Sequence, residues 1–243
     1  MKILGVRFDN LNLAEVLQKI AGFLVDGQQH YIVLPYAEFL VEAQKDEEFR
    51  NILNQADLSL SDGVGPVWAS RIIGQEALRG RIMGIDLVWA LFVESGVQSR
   101  VFLFGAREGV AQEAAEKIRQ KAPQAQIVGT LNGYVGDAEA IAAINASGAE
   151  VLLVGLGMPK QEKWIYDNLK KMPAVKVAIG VGGAFDFISG RVKRAPGIFQ
   201  KIGLEWLWRL IIQPRRIKRI FRSIAIFLWL VIKDKFVWSN SRE

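Results

Sequence analysis

Short apolar runs alternate with amphipathic segments along most of the chain. Runs such as VLLVG at 151–155 are apolar on both faces, which is typical of strands buried within a parallel sheet. Between them lie longer segments whose apolar residues recur at helical spacing. This alternation predicts an α/β fold with a doubly wound, Rossmann-like and mostly parallel sheet. In such sheets, ligands bind at the carboxyl ends of the strands.

The pattern assigns most of the chain to strands or helices. The predicted strands are residues 2–8 (KILGVRF), 30–35 (HYIVLP), 57–61 (DLSLS), 100–105, 125–130, 150–157 and 175–183. The predicted helices are residues 11–25, 37–55, 109–121, 137–145, 160–171 and 203–210.

The segment 217–236 (IKRIFRSIAIFLWLVIKDKF) is basic at its start and apolar in its middle. Its longest uncharged apolar run is the nine residues 224–232. As a helix, that run rises about 13 Å, against about 30 Å of hydrocarbon in a bilayer, so it cannot span one. The basic flanks favour a helix lying on the membrane surface, with Phe227 and Trp229 entering the acyl boundary. The alternative is a helix packed on the body or on a second copy of the chain.

The charge of the chain is distributed unevenly, and this divides it in two. Residues 191–243 carry 13 Lys/Arg against 3 Asp/Glu, whereas residues 1–190 carry 18 against 22. We therefore predict an α/β body at 1–190 and a basic, amphipathic helical appendage at 191–243. The appendage calls for an anionic partner such as lipid head groups or a phosphorylated substrate, and its dense apolar residues argue against nucleic acid.

Several kinds of site are absent from the sequence. There is no cysteine, which excludes disulfides and thiolate metal sites. No Asp-x-Asp pair is present to hold a divalent cation on a diphosphate, so we expect neither metal nor cofactor. The single histidine, His30, opens a predicted strand and is expected to be structural. No secretory signal is visible, so we expect a cytoplasmic protein.

Two glycine-rich turns follow predicted strands, VGLGMPKQEKW at 154–164 and GVGGAFDFISG at 180–190. A strand that runs through such a turn into a helix lets backbone N–H groups approach a phosphate, although tight turns also use glycine for conformational reasons alone. Two such turns in one sheet indicate a nucleotide cleft. Its candidate binding residues are Gly157, Lys160, Gln161, Gly182, Gly183 and Asp186.

Other polar residues also follow predicted strands. Asp62 ends a strand and could project a carboxylate into the same cleft, although Asp-Gly is also a common turn pair. Tyr134, in NGYVG, could stack on a base or simply cover a turn. Arg194 and Arg209 lie in the basic segment just beyond the second glycine turn, where cations could meet a diphosphate.

Four stretches carry a family resemblance: PYAEFLVEAQKDEEFRNIL (35–53), DGVG (62–65), GLGMPKQEKW (155–164) and GVGGAFDFISGRVKRAP with GLEWLWRL (180–210). Together they resemble the WecG/TagA/CpsF family of bacterial glycosyltransferases, glycosyltransferase family 26, over essentially the whole chain. Family members often have Thr-Pro-Asn where this chain has Leu34-Pro35-Tyr36. This departure puts Tyr36 among the candidate substrate contacts. The resemblance therefore does not fix the identity of the transferred sugar.

The resemblance implies an inverting, metal-independent transfer from a UDP-sugar to a polyprenyl-diphosphate-linked sugar on the cytoplasmic leaflet. The best-known member type adds N-acetylmannosamine to undecaprenyl-diphosphate-GlcNAc, which starts the linkage unit of wall teichoic acid. Asp62 matches the family's proposed catalytic base. The appendage is proposed to touch the membrane and complete the active site, which makes Arg215, Arg216 and Arg219 candidate catalytic cations.

The sequence therefore predicts a UDP-sugar-dependent glycosyltransferase attached peripherally to the inner face of the membrane. Asp62 would act as general base, while appendage cations and the amides of Gly157, Gly182 and Gly183 would stabilise the departing UDP. Two rival classes remain open. One is a non-catalytic peripheral membrane protein that retains the fold, and the other is a nicotinamide-dependent oxidoreductase with an incomplete glycine fingerprint.

Overall fold

A parallel sheet of six strands forms the centre of the protein. The computed structural model describes residues 1–74, 76–94, 99–201, 203–212 and 217–240. After a short hairpin of β1 (Lys2–Ile3) and β2 (Val6–Arg7), the sheet strands are β3 (His30–Val33), β4 (Leu58–Ser59), β5 (Val101–Gly105), β6 (Ile127–Leu131), β7 (Val151–Gly155) and β8 (Val177–Gly180). Across the sheet the order is β4-β3-β8-β7-β5-β6, with every neighbouring pair parallel.

Helices cover both faces of this sheet. In chain order they are α1 (Leu13–Phe23), α2 (Ala37–Glu42), α3 (Glu47–Gln55), α4 (Val64–Ile73), α5 (Gly84–Val93), α6 (Val110–Lys121), α7 (Asp137–Ser147), α8 (Lys160–Asn168), α9 (Ala184–Ile188), α10 (Gly197–Lys201), α11 (Glu205–Ile212) and α12 (Ile217–Asn240). Helices α2, α3, α4, α7, α8 and α12 contribute to the core on one face, and α1, α5, α6 and α9 to the core on the other.

The central strands supply both cores, because successive side chains of a strand point to opposite faces. In β5, Phe102 and Phe104 join one core and Leu103 joins the other. In β7, Leu152 and Leu153 divide in the same way, and all five residues of the strand are buried. The apolar runs predicted to be buried parallel strands are therefore buried on both faces, which confirms the predicted α/β class and its mostly parallel sheet.

Two element predictions are wrong in detail, and some helices were missed. The predicted strand at 2–8 is a hairpin, because Leu4 and Gly5 have φ of 50° and 78° and turn the chain. The predicted helix at 37–55 is two helices, and Asp46 caps the second by accepting from the Phe49 N–H. Helices α4 and α5 were not predicted. Glycine and proline open α4, and α5 is buried on most sides, so it shows little periodicity.

His30 is held between two carboxylates at the start of β3. Its Nδ1 and Nε2 each lie 2.9 Å from an oxygen, of Asp57 and Asp26 respectively. Its ring also stacks on Phe23 with the ring centroids 3.9 Å apart. These contacts tie the end of α1 and the start of β4 to the amino end of β3. Ligands bind at the opposite, carboxyl ends of the strands in such folds, so the position of His30 agrees with the expected structural role.

The segment that follows α9 is fastened to the body by ion pairs. Arg194 Nη1 lies 2.7 Å from Asp86 Oδ1, and Arg81 Nη1 lies 2.8 Å from Glu205 Oε2. Arg191 pairs with Glu113 on α6 in the same way, at 2.7 Å. The boundary predicted at 190/191 stays a prediction, since residues 191–205 are in contact with the body at each of these points.

Helix α12 packs against α2 and α4 through one of its faces. Phe227 and Val231 are buried there and join the core beneath them. The expectation that Phe227 enters a membrane is therefore wrong, because its ring is covered by the body. On the opposite face Leu228, Trp229 and Ile232 are 40%, 60% and 51% exposed. Among the described residues, no helix is long and apolar enough to cross a bilayer.

Candidate active site

A cleft of about 740 Å³ opens at the carboxyl ends of β3, β4, β7 and β8. This is where a doubly wound sheet binds its ligands. The turns after the strands contribute Leu34, Tyr36, Asp62, Leu156, Gly157, Met158, Val181, Gly182 and Gly183. Helices contribute Glu38, Phe39, Val41, Glu42, Gly84, Ile85, Gln161, Ala184, Asp186, Phe187, Ser223 and Ile226.

Asp62 is fixed in the cleft wall by the backbone around it. Its own N–H donates to the carbonyl oxygen of Pro35 at 3.0 Å, which joins the turn after β4 to the turn after β3. The carbonyl oxygen of the preceding Ser61 accepts from the Ile82 N–H at 2.7 Å. The side chain of Asp62 is partly buried and lines the cleft. A carboxylate on such a rigid support is suited to proton transfer with a bound hydroxyl.

The two glycine turns are joined by the side chain of Gln161. Its Oε1 accepts from the Gly157 N–H at 3.2 Å and from the Gly182 N–H at 3.0 Å. Gln161 is only 2% exposed, and it lines the floor of the cleft. Each of these two amides already donates to Gln161 within the protein, and the predicted contact of both with a diphosphate stays a prediction.

Glu162 lies behind Gln161, fully buried at 0% exposure. Its Oε1 accepts from Gln161 Nε2 at 2.6 Å. Burial raises the pKa of Glu162 to about 7, although the hydrogen bond from Gln161 acts in the opposite direction. Both side chains approach β8 closely: a Cβ at Gly180 would lie 2.8 Å from Gln161 Nε2 and 3.0 Å from Glu162 Oε1. Glycine at position 180 leaves room for the pair.

Tyr36 stands at the side of the cleft where α12 passes. Its hydroxyl donates to Glu38 Oε2 at 3.1 Å, and its ring meets Phe39 edge to face at 4.9 Å. From α12, the Ser223 hydroxyl donates to the other oxygen of Glu38 at 3.5 Å. The last helix thus forms part of the cleft wall. Leu34 also lines the cleft but is nearly buried, so it offers an apolar contact.

The part of the cleft wall that the structure describes is predominantly acidic. Its charged side chains are Glu38, Glu42, Asp62, Asp186 and Lys45. A single ammonium faces four carboxylates, which is unfavourable for an anionic ligand. Cations from elsewhere are needed if this cleft holds a diphosphate. Among the described residues, no group of three His, Asp or Glu is arranged to hold a metal ion.

Some predicted binding residues lie away from the cleft. Lys160 is exposed at the start of α8, and Tyr134 is 76% exposed beyond β6, at the far edge of the sheet. Arg194 lies beside the cleft, and its guanidinium is directed to Asp86 and Glu205. In this conformation none of the three lines the cleft.

The other predicted residues divide by position. Gly157, Gln161, Gly182, Gly183, Asp186, Tyr36 and Asp62 all line the cleft, and their roles stay predictions. Arg215 and Arg216 lie outside the described residues. Arg209 lies in α11 and Arg219 in α12, but their side chains are outside what the structure describes.

Comparison with known proteins identifies the class of this site. The sequence profile of the "Glycosyl transferase WecG/TagA/CpsF family" matches residues 1–241. The chain belongs to this family. It is therefore a glycosyltransferase and not a nicotinamide-dependent oxidoreductase, and the resemblance seen in the sequence is confirmed. The family match spans the α/β body and almost all of the segment predicted to be an appendage.

Curated relatives support the same assignment. A protein of Bacillus spizizenii strain W23 is 37% identical over 215 residues, covering 88% of this chain and 82% of the relative. A protein of Bacillus subtilis strain 168 is 34% identical over 236 residues, 92% of this chain and 90% of the relative. A Staphylococcus aureus MRSA252 protein is 33% identical, covering 96% and 92%. Each is named N-acetylglucosaminyldiphosphoundecaprenol N-acetyl-beta-D-mannosaminyltransferase.

Sequence reasoning missed three features of this WecG/TagA/CpsF site. Lys45 and Glu42 line the cleft from the end of α2, where the predicted continuous helix gave no reason to expect an opening. Ser223 and Ile226 were assigned to a membrane-facing segment, yet they face the cleft. The bridge from Gln161 to Gly182 joins residues 21 apart in the chain, and only the pairing of β7 with β8 brings them together.

Proposed function

We propose that the protein transfers N-acetylmannosamine from its UDP derivative to a polyprenyl-diphosphate-linked N-acetylglucosamine, on the inner face of the cell membrane. The observation that carries the proposal is the place of Asp62 in a cleft at the carboxyl ends of the strands, in a chain of this family. The names of relatives at 33–37% identity supply the donor and acceptor sugars. The product would serve cell-wall, teichoic-acid-type synthesis.

The reaction is an inverting displacement at the anomeric carbon of the donor sugar. Asp62 takes the proton of the acceptor hydroxyl while its oxygen attacks, and the bond to the UDP oxygen breaks on the opposite side. The support for Asp62 as base is its rigid backbone, held at both Asp62 N–H and Ser61 C=O. Partial burial shields the carboxylate from bulk water and strengthens its interaction with a bound hydroxyl.

The departing UDP gains negative charge and needs a positive environment. Because four carboxylates and one ammonium line the described cleft, the cations have to come from the appendage. Arg215, Arg216 and Arg219 follow closely on α11 and precede Ser223, which borders the cleft. Guanidinium groups bind diphosphate oxygens in pairs without a metal ion. The same arginines therefore account for a metal-independent reaction.

Attachment to the membrane is assigned to the outer face of α12. A helix that is apolar on two opposite faces has more apolar surface than its own protein covers. Phe227 and Val231 are covered by the body, whereas Trp229 and Ile232 are left exposed, and Lys233 lies 5.4 Å from the Trp229 ring centre. Ring and aliphatic groups flanked by lysine are suited to the interface of an anionic leaflet. A lipid-linked acceptor would reach the cleft along this side.

Tyr36 and Leu34 replace the polar residues common in the family and shape the sugar site. Tyr36 fills space beside Asp62, and its hydroxyl is directed to Glu38. Leu34 offers an apolar surface that suits an acetamido methyl group better than a hydroxyl. This favours an N-acetylated sugar as donor, and a panel of UDP-sugars tests which one is transferred.

Ligand-induced stabilisation gives a direct first test of the donor class. A ligand that binds only the folded state raises the melting temperature, by an amount that grows with the logarithm of its concentration above the Kd. We expect UDP and UDP-N-acetylmannosamine to raise it and NAD to leave it unchanged, in the presence of EDTA. No shift with any uridine nucleotide at millimolar concentration would contradict a UDP-sugar site.

A further inference from the structure

We propose that Glu162, which lies outside the cleft, is a positioning residue that orients Gln161 and through it holds both glycine turns in their binding conformation. The inference deepens the proposed function and rests on it where UDP binding is concerned. Glu162 does not line the cleft, so its effect on a ligand has to pass through Gln161.

The contacts form one chain from the core to the cleft floor. Glu162 Oε1 accepts from Gln161 Nε2 at 2.6 Å, and Gln161 Oε1 accepts from two backbone N–H groups, of Gly157 and Gly182. The first turn follows β7 and the second follows β8. One amide group therefore joins the two turns across neighbouring strands.

The orientation of the Gln161 amide is determined at both of its ends. If the amide were flipped, its NH₂ would face two N–H donors, and its oxygen would face the oxygen of Glu162 at hydrogen-bond distance. The N–H groups of both turns would then face donors and lose their acceptor in either protonation state of Glu162, and an ionised Glu162 would lose its donor as well. Burial at 2% and 0% exposure leaves no water to compensate for the loss.

The acceptor oxygen, and not the charge, is what Glu162 contributes. A carboxyl group keeps an oxygen that can accept from Gln161 Nε2 whether it is protonated or ionised. Glutamine at position 162 retains that oxygen at nearly the same volume, whereas leucine retains the volume and removes the oxygen. The other oxygen, Oε2, has no hydrogen-bond partner among the described residues, and it takes no part in this contact.

The test compares Glu162→Leu with Glu162→Gln in the full chain, using UDP as ligand. We expect E162L to weaken UDP binding about tenfold, as the loss of a buried hydrogen bond would, and E162Q to stay within about threefold. Amide hydrogen exchange in peptides covering 154–158 and 180–184 should accelerate in E162L and not in E162Q. Adding E162L to Gln161→Leu should weaken binding no further than Gln161→Leu alone, because Glu162 acts through Gln161.

Asn168→Ala is the matched control on the same helix. Asn168 is also buried and polar, and its Nδ2 donates to the Trp164 carbonyl oxygen at 2.9 Å, away from both turns. It should lower stability while leaving UDP affinity and exchange at the turns unchanged. If E162L does not fold, Glu162→Ala replaces it, since a smaller side chain removes the oxygen without overpacking.

The outcomes separate this inference from the proposed function. If the wild-type protein does not bind UDP, the UDP-sugar proposal fails, and the exchange measurement still tests the positioning role. Unchanged exchange at both turns and unchanged UDP affinity in E162L would overturn the inference. So would an E162Q variant as impaired as E162L, because the conservative change preserves the acceptor oxygen.

Discussion

The ring of Phe227 in α12 packs over Gly65 in α4, where a Cβ would lie 3.5 Å from the Phe227 Cε1 atom. That distance is an ordinary van der Waals contact, so the ring lies directly against α4, and the tighter contact of position 65 is with the Ala37 Cβ of α2, at 3.1 Å. Phe227 is 3% exposed, and the helix that carries it is held against the body beside the cleft. The docking of the last helix is therefore part of the structure of the active site.

Truncation of this ring should undock α12. We expect Phe227→Ala to lower the free energy of unfolding by about 3 kcal/mol, because a buried aromatic side chain is lost and a cavity is left. Transfer activity should fall with it, since Ser223 and Ile226 would leave the cleft wall. Chemical denaturation and an activity assay on the same preparation check both. Leu228→Ala, on the exposed face, is the control and should change stability little.

The opposite face of α12 should govern membrane binding instead. We expect Trp229→Ser to leave the free energy of unfolding within about 0.5 kcal/mol, as for other exposed positions, and to weaken co-sedimentation with anionic vesicles several-fold. Binding of the wild-type chain should weaken with salt but not vanish, because screening acts on the basic residues and not on the apolar face. Equal vesicle binding by the wild type and W229S would contradict the membrane assignment.

Metal independence follows from the proposed use of arginines. Transfer should survive EDTA. Arg215→Ala or Arg216→Ala should lower the rate of transfer on the order of 10-fold or more, because each change removes one or two charge-assisted hydrogen bonds to the leaving group. Lys117→Ala, a change in charge of the same size on the distant helix α6, is the control. A strict requirement for Mg²⁺ or Mn²⁺ would count against this account of the leaving group.

Glu162 should give stability a distinctive dependence on pH. Burial raises its pKa from 4.5 to about 7 on folding, so the folded state binds the proton more tightly than the unfolded state. Its contribution to stability is therefore full below pH 4.5 and is lost as pH rises through about 7, a change of about 3 kcal/mol. E162Q does not titrate. The free energy of unfolding of both proteins is measured by denaturation at pH 5 and pH 8. From pH 5 to pH 8, the stability of E162Q relative to the wild type should rise by about this amount. If the difference in stability between the two proteins is the same at both pH values, the predicted titration of Glu162 is refuted.

Sequence patterns located the sheet well because burial on both faces produces an unmistakable apolar run, as in β5 and β7. They failed where burial removes periodicity, as in α5, and where a single residue turns the chain, as at Gly5. The site was found only in part. Asp62 and the glycine turns follow strands and carry local signals, but the hydrogen bonds made by Gln161 depend on contacts between neighbouring strands.

The appendage illustrates a second limit of sequence patterns. The run from 224 to 232 is apolar on all sides, so composition alone could not tell which face is covered by the body and which is exposed. The packing of α12 against α2 and α4 places Phe227 on the buried face and leaves Trp229 on the outer one.

The most direct test of the central claim is identification of the product by mass, with Asp62→Asn measured in parallel. The wild-type protein is given a panel of UDP-sugars and a polyprenyl-diphosphate-linked N-acetylglucosamine in vesicles. We expect addition of one N-acetylhexosamine from UDP-N-acetylmannosamine, with D62N binding UDP normally and turning over 10²- to 10⁴-fold more slowly, on the order of the usual contribution of a general base. Asp167→Asn, an exposed change on α8, should turn over at the wild-type rate. No glycosylated product from any UDP-sugar, or a D62N variant as fast as the wild type, would contradict the account.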